Sequence, residues 1–251
     1  MRLREASRLA PGRPCGNQLL DALPPGEFER LQAHLERRSL GVAELLHDQN
    51  LVIEFVTFPT TALISSTTLL REGASVEAVT VGSEGMAGLP VFFGSSRAAM
   101  QEMGQVPGEI LRLRALVLAE ALPSAPVLRS LLGSYADAVM KLLAQTVACN
   151  RMHHTTERAA RWLLITRDQL GRDRLELTHE VLAMMLGARR PSVTLALQEL
   201  RAAGAIQYRR NAIEVADGPL LEKLSCECYY EIRDRFEGYR ERLREARRTI
   251  A

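Results

Sequence analysis

The stretch Thr178–Gly204, THEVLAMMLGARRPSVTLALQELRAAG, constrains the fold more tightly than any other part of the chain. Val181, Leu182, Met185 and Leu186 form one apolar stripe at helical spacing, with Thr178 placed as an N-cap and Glu180 in the first turn, where the helix dipole favours an acid. Gly187 follows, a residue free to take the positive φ that a tight inter-helix turn requires. A second stripe, Val193, Leu197 and Leu200, recurs at spacings of four and three, and Pro191 falls in the first turn, where a missing N–H costs little. The opposite side of this helix carries Arg190, Thr194, Gln198 and Arg201. Two short helices around a glycine turn, the second opening on an arginine doublet, predict a helix-turn-helix. Arg and Gln are side chains that read guanine and adenine edges in the major groove. Ala205–Val215 then alternates like a short hairpin with Arg209, Arg210 and Asn211 at its tip, so the unit reads as a winged helix. Such a module can instead dock a protein partner; the doublet Arg189-Arg190 favours DNA.

Charge agrees with this placement. The net charge of +2 conceals an asymmetry: residues 16–122 hold 7 Arg against 13 acids, whereas residues 155–251 sum to +3. The basic excess lies with the helix-turn-helix, and the acidic stretch would be repelled by phosphate. No apolar run reaches the roughly 18–20 residues of a membrane span. Met1–Gly16 is Arg-rich without the apolar core of a secretory signal. The four cysteines are too unevenly placed for a disulfide scaffold, so a cytoplasmic protein is expected, without membrane contact.

Along the chain, residues 1–16 are expected to be disordered, and Pro25–Arg37 to form a short helix with Phe28, Leu31 and Leu35 inward. From about Ser39 to Leu113 the texture becomes β-like: LVIEFVTF, TALISSTTLL, VEAVTV and GEILRLR are separated by Gly, Pro and polar turns, as in a small antiparallel barrel. After Pro123 the pattern is helical to about His153. Leu128, Leu132, Tyr135, Val139, Leu142, Thr146 and Cys149 recur at alternating spacings of four and three, a coiled-coil seam expected at the axis of a parallel homodimer. A further helix starts at Thr155 or Thr156 and carries Trp162.

Barrel, long helix and winged helix in this order resemble the Crp/Fnr family of bacterial transcription regulators, from about Asn17 to Asp217 and most specifically at TERAARWLL and LTHEVLAMMLGARRPSVTLALQEL. The resemblance implies an α+β chain: a cyclic-nucleotide-binding-like, jelly-roll-like β-barrel over 17–122, a dimerisation helix over 123–154, a winged helix-turn-helix over 155–218 and a helical extension over 219–251. It implies a homodimer on a pseudo-palindromic duplex, with RNA polymerase as a further candidate partner. Arg190 stands where the family's base-reading arginine opens the recognition helix, and Thr178 and His179 stand where the first helix meets the backbone. Arg190, Thr194 and Gln198 would face bases; His179, Arg189, Ser192, Arg209 and Arg210 would fix phosphates. Pro191 and Leu195 replace a Glu and an Arg of well-known members, which implies a different operator.

The sensory half departs further. Leu89 stands where cyclic-AMP-binding members carry the glutamate for the ribose, and Arg97-Ala98 where they carry Arg-Ser for the phosphate. Control by cyclic AMP in the usual mode is therefore not expected, although Arg97 could hold an anion. Glu84, in the turn VGSEGM, reads as a solvated turn residue before it reads as part of an effector pocket. Cys15 alone cannot ligate an iron–sulfur cluster. Cys149 and His153, four apart, share a helix face, and two of each would make a sensible zinc set across a dimer axis; a buried cysteine beside a capping histidine is the simpler reading. Cys226-Glu227-Cys228 offers only two ligands. No metal site, cofactor or catalytic constellation is expected, the last because no phosphate loop or nucleophile elbow is present. Tyr229, Ile232, Phe236, Tyr239 and Leu243 form an apolar stripe on a final helix expected to pack on its own chain.

Overall fold

A computed structural model describes residues 7–8, 14–209 and 212–250. The chain forms two compact units, one from Met1–Thr68, Val79–Val139 and Glu237–Ala251, the other from Leu69–Ala78 and Met140–Phe236.

In chain order, β1 (Ser7–Arg8) precedes α1 (Pro25–Gln32), which is followed by β2 (Glu36–Leu40), β3 (Leu45–His47), β4 (Phe55–Pro59), β5 (Leu63–Leu69), β6 (Ser75–Val81), β7 (Gln101–Val106) and β8 (Gly108–Arg114), all in the first unit except for Leu69 of β5 and residues 75–78 of β6. These strands make two four-stranded antiparallel sheets, ordered β1-β2-β8-β4 and β3-β7-β5-β6. The two sheets give the jelly-roll-like antiparallel architecture that the sequence suggested. The β4–β8 register sets Val56 opposite Leu113 and Phe58 opposite Leu111, and all four are fully buried. Pairing of this kind on one pleated face is what stabilises a sheet. The expected α1 is cut short because residues 36–40 pair with β8; Leu35, assigned to the helix, is buried just before β2. Residues expected to be disordered include Ser7 and Arg8, paired with β2, and Cys15, which is buried and donates its N–H to Asp21 at 2.6 Å. The rest of that stretch, apart from Pro14 and Gly16, lies outside the described residues.

α2 (Ala115–Ala121) leads into α3 (Pro126–Met152), a single 27-residue helix. Its N-terminus is capped from a distance: the Glu27 carboxylate accepts the Val127 and Leu128 N–H groups at 3.1 and 2.8 Å. A helix start leaves such donors unpaired, and its dipole favours an anion there. Among the described residues no single helix is long and apolar enough to cross a membrane.

The second unit continues with α4 (Thr155–Leu170), β9 (Arg174–Leu175), α5 (His179–Leu186), α6 (Arg190–Ala202), β10 (Ile206–Arg209), β11 (Ala212–Val215), α7 (Gly218–Lys223) and α8 (Cys228–Ile250). α4 begins at Thr155, where Glu157 reaches back to the His154 N–H at 2.8 Å, and ends at the left-handed Gly171. Leu163 and Leu164 from α4, Leu182 and Leu186 from α5, Val193, Leu197 and Leu200 from α6, and Ile206 and Ile213 from the small sheet β10-β11-β9 share one core. The stripe on α8 is buried throughout, as expected.

The seam of α3 is used differently from the expectation. Leu128, Leu132, Tyr135, Val139, Leu142, Thr146 and Cys149 are all buried within the single chain, so they are not free to meet a second copy. Tyr135 packs 5.6 Å from the ring of Tyr239, and Cys149 clusters with Cys226 and Cys228. The apolar residues α3 leaves exposed lie on another face: Met140 is 59% and Val147 72% accessible.

Candidate DNA interface

The helix-turn-helix is built as its sequence dictates. Thr178 caps α5, its hydroxyl accepting the Val181 N–H at 3.2 Å. Gly187 ends the helix in the left-handed region at φ 56°, a conformation that a Cβ would disfavour. Arg189 is the N-cap residue of α6, and Pro191 sits in its first turn. With Val193, Ala196, Leu197 and Leu200 turned into the core, α6 exposes Arg190, Ser192, Leu195, Gln198 and Arg201 to solvent, and Arg189 is exposed just ahead of them.

The expected base- and phosphate-facing residues do not all stand free. His179 Nδ1 lies 3.2 Å from the Thr194 hydroxyl, so these two hold each other and tie the start of α5 to the middle of α6. The His179 ring also packs 5.5 Å from Tyr208 on β10. Arg201 lies over the Tyr208 ring at 5.2 Å, a contact that braces α6 against the wing. Tyr208 was not singled out in the sequence, although an aromatic residue at the base of an alternating hairpin is a fair signal of such a brace. On the wing, the Arg209 guanidinium pairs with Glu214 across the hairpin at 2.6 Å. Arg210 and its neighbour at the tip lie outside the described residues. Thr178, His179, Arg190, Tyr208 and Arg209 line one open groove between α5, α6 and the wing.

In the first unit, Leu89 and Arg97 are not brought to one site. Leu89 joins Ile53, Val79, Met86, Tyr135 and Val139 around an apolar cavity of about 30 Å³, enough for a water or two. Arg97 is exposed, its guanidinium donating to the Asn50 carbonyl at 2.8 Å. Glu84 is not solvated. It is buried, its carboxylate accepts the Gly82 N–H at 3.1 Å, and its carbonyl accepts the Tyr239 hydroxyl at 2.8 Å.

A polar pair beside the cavity escaped the sequence reading. His47 is buried with its Nδ1 against the Glu102 carboxylate and its Nε2 2.6 Å from the Phe55 carbonyl. Glu102 also accepts the Gly88 N–H at 2.9 Å and the Ser66 hydroxyl at 3.2 Å. Burial disfavours the imidazolium, but the hydrogen bond and charge of Glu102 outweigh it, and His47 titrates above its usual 6.5. Nothing in the local sequence links residues 55 positions apart on different strands.

Two half-motifs that the sequence keeps apart meet in the structure. Cys149 and His153 from the end of α3 and Cys226 and Cys228 from the start of α8 come together, with one donor atom from each within 4.8 Å of all the others. Each half-motif alone was incomplete, and the fold supplies the other half. A hydrogen bond from the Cys226 thiol, working against burial and helped by the nearby Arg161 charge, holds the Cys149 thiol below its usual range.

Comparison with known proteins places these features. Residues 157–224 match the Crp-like helix-turn-helix domain. A search of curated proteins gave no significant sequence match. Among solved structures, a transcriptional regulator of the Crp/Fnr family from Eubacterium rectale is similar at 16% identity, covering 82% of this chain and 96% of that one, with a TM-score of 0.66. FixK2 from Bradyrhizobium japonicum is similar at 16% identity over 76% of this chain and 98% of its own, with a TM-score of 0.67. The c-di-GMP-responsive regulator CLP of Xanthomonas campestris is similar at 16% identity over 76% and 98%, with a TM-score of 0.64. Residues 157–224 are thus a Crp-like helix-turn-helix domain, in a chain with the fold of the Crp/Fnr transcription regulators.

Proposed function

We propose that this chain is a homodimeric, sequence-specific DNA-binding transcription regulator that is not controlled by cyclic AMP in the usual mode. The observation that carries the reading is the solvent face of α6. Arg190 and Gln198 project from a helix whose opposite face is locked into a core, beside the exposed Arg189 and Ser192, at the mouth of a groove shared with the wing. A rigid helix of this kind fits the major groove, with the arginines supplying both base and phosphate contacts.

Two copies would place their α6 helices in successive major grooves about 34 Å apart. The exposed face of α3 supports a parallel pair: Asp137, Met140, Ala144 and Val147 recur at spacings of three, four and three, a second seam beside the buried one. Against the usual effector stands the cavity, too small for a nucleotide, with Leu89 in place of a ribose-binding carboxylate and Arg97 engaged elsewhere on the surface.

The deciding experiment is capture and sequencing of the DNA bound by the full-length protein, followed by affinity measurements on the recovered site and on random duplex across a salt series. Recovery of a two-fold symmetric motif, bound with a steep salt dependence, is expected. Absence of any enriched motif, with salt-insensitive or no DNA binding, would leave the winged helix as a protein-docking module.

A further inference from the structure

We propose that Cys149, His153, Cys226 and Cys228 bind a single divalent cation of the zinc class in a tetrahedral Cys3His site, oriented by Glu227. Cys149 Sγ and Cys226 Sγ lie 3.6 Å apart, as do Cys228 Sγ and His153 Nδ1. Bonds to zinc of about 2.3 Å from sulfur and 2.0–2.1 Å from nitrogen imply, at tetrahedral angles, edges of about 3.8 Å for S···S and 3.5 Å for S···N. These two edges match that single-ion cage, and the four donors all lie within 4.8 Å of one another. A disulfide would need the sulfurs at about 2.05 Å, and all four cysteines of the chain are free. An iron–sulfur cluster, whose ligands attach to different irons, would hold the donors further apart than one shared ion does.

The surroundings are those of a ligand set. His153 Nε2 lies 3.1 Å from the Glu227 carboxylate, which fixes the N–H on Nε2 and leaves the Nδ1 lone pair facing the cysteines. Gln145 donates an amide N–H to Cys228 Sγ at 3.1 Å, an interaction suited to a thiolate. Three thiolates and a neutral imidazole around a dication leave one negative charge. Arg161 on α4, itself buried, lies close enough to act electrostatically on Cys149 and Cys226, and so supplies the compensating positive charge. Soft thiolates with one imidazole in a tetrahedron select zinc over the harder magnesium and calcium.

All these residues belong to the unit that carries α5 and α6. The ion would staple the last turns of α3 to the first turn of α8, next to α4. With four protein ligands the site is closed, which is the mark of a structural ion rather than a catalytic one.

The test uses the full-length, untagged protein. Elemental analysis should find one zinc per chain. Cobalt added to chelator-stripped protein should give tetrahedral d–d bands with thiolate charge-transfer absorption, saturating at one equivalent. Cys226→Ser should abolish that stoichiometry, and Glu227→Gln should keep the bands while weakening the metal roughly 10–100-fold in chelator competition. Because the cobalt titration reads the unaltered chain, a misfolded variant cannot obscure the result. Octahedral cobalt spectra, absence of bound metal, iron with inorganic sulfide, or a Cys149–Cys226 disulfide found by mass spectrometry would each overturn the proposal.

Discussion

Arg190 and Arg209 are both exposed arginines at the candidate interface, yet their surroundings differ. Arg190 opens α6 with no ion-pair partner among the salt bridges of the described residues, whereas Arg209 is already bound to Glu214. Arg190→Ala should cost about 1–3 kcal/mol on the operator and relax one base position per half-site. Binding selections on randomised half-sites check this; an equal loss on every duplex would remove Arg190 from base reading. His47 gives a second residue-level expectation. Its folded pKa lies above the usual 6.5, so the stability it contributes is fully present below about pH 6.5 and disappears as pH rises through the folded value. Melting of the protein across that range should therefore show a decline on the alkaline side that His47→Gln flattens. Identical pH profiles for the two proteins would refute the assignment. Neither His47 nor Glu102 stood out in the sequence, because their partnership exists only once β3 and β7 pair.

At the level of elements, local patterns were legible and their covering partners were not. Thr178, Gly187 and the stripe Val193, Leu197 and Leu200 marked the helix-turn-helix because caps, turns and amphipathic faces are written within a few residues. β2, with the sequence ERRSL, carried no apolar alternation and stayed hidden; its pairing with β8 makes it a strand. On α3 the heptad spacing correctly named a buried face, but spacing cannot say whether a second chain or the same chain covers it. The halves of the Cys3His set were noticed separately and dismissed for the same reason: 77 residues separate Cys149 from Cys226. The dimer face proposed above predicts that Val147→Arg, by placing like charges together beside the exposed Met140, yields a monomer in sedimentation and loses most operator affinity. A Leu142→Arg chain should instead misfold, since Leu142 is buried. A Val147→Arg protein that remains dimeric would exclude this face.

For the molecule as a whole, the proposal that cyclic AMP does not control this chain rests on the apolar cavity and on the arginine turned to the surface. Calorimetric titration with cyclic AMP or cyclic GMP should show no micromolar binding and no change in operator affinity; a heat signal coupled to tighter DNA binding would contradict this. The Arg209–Glu214 pair also bears on association as a whole. The wing carries its own counterion, so a phosphate that takes Arg209 must evict a carboxylate, which is left close to the DNA backbone. That contact should release less salt than the roughly 0.9 ions per neutralised phosphate expected of a bare arginine. Glu214→Gln should then bind every duplex more tightly and with a steeper salt slope, while its preference for the operator over random DNA narrows. The native wing would in this way trade general stickiness for dependence on what α6 reads.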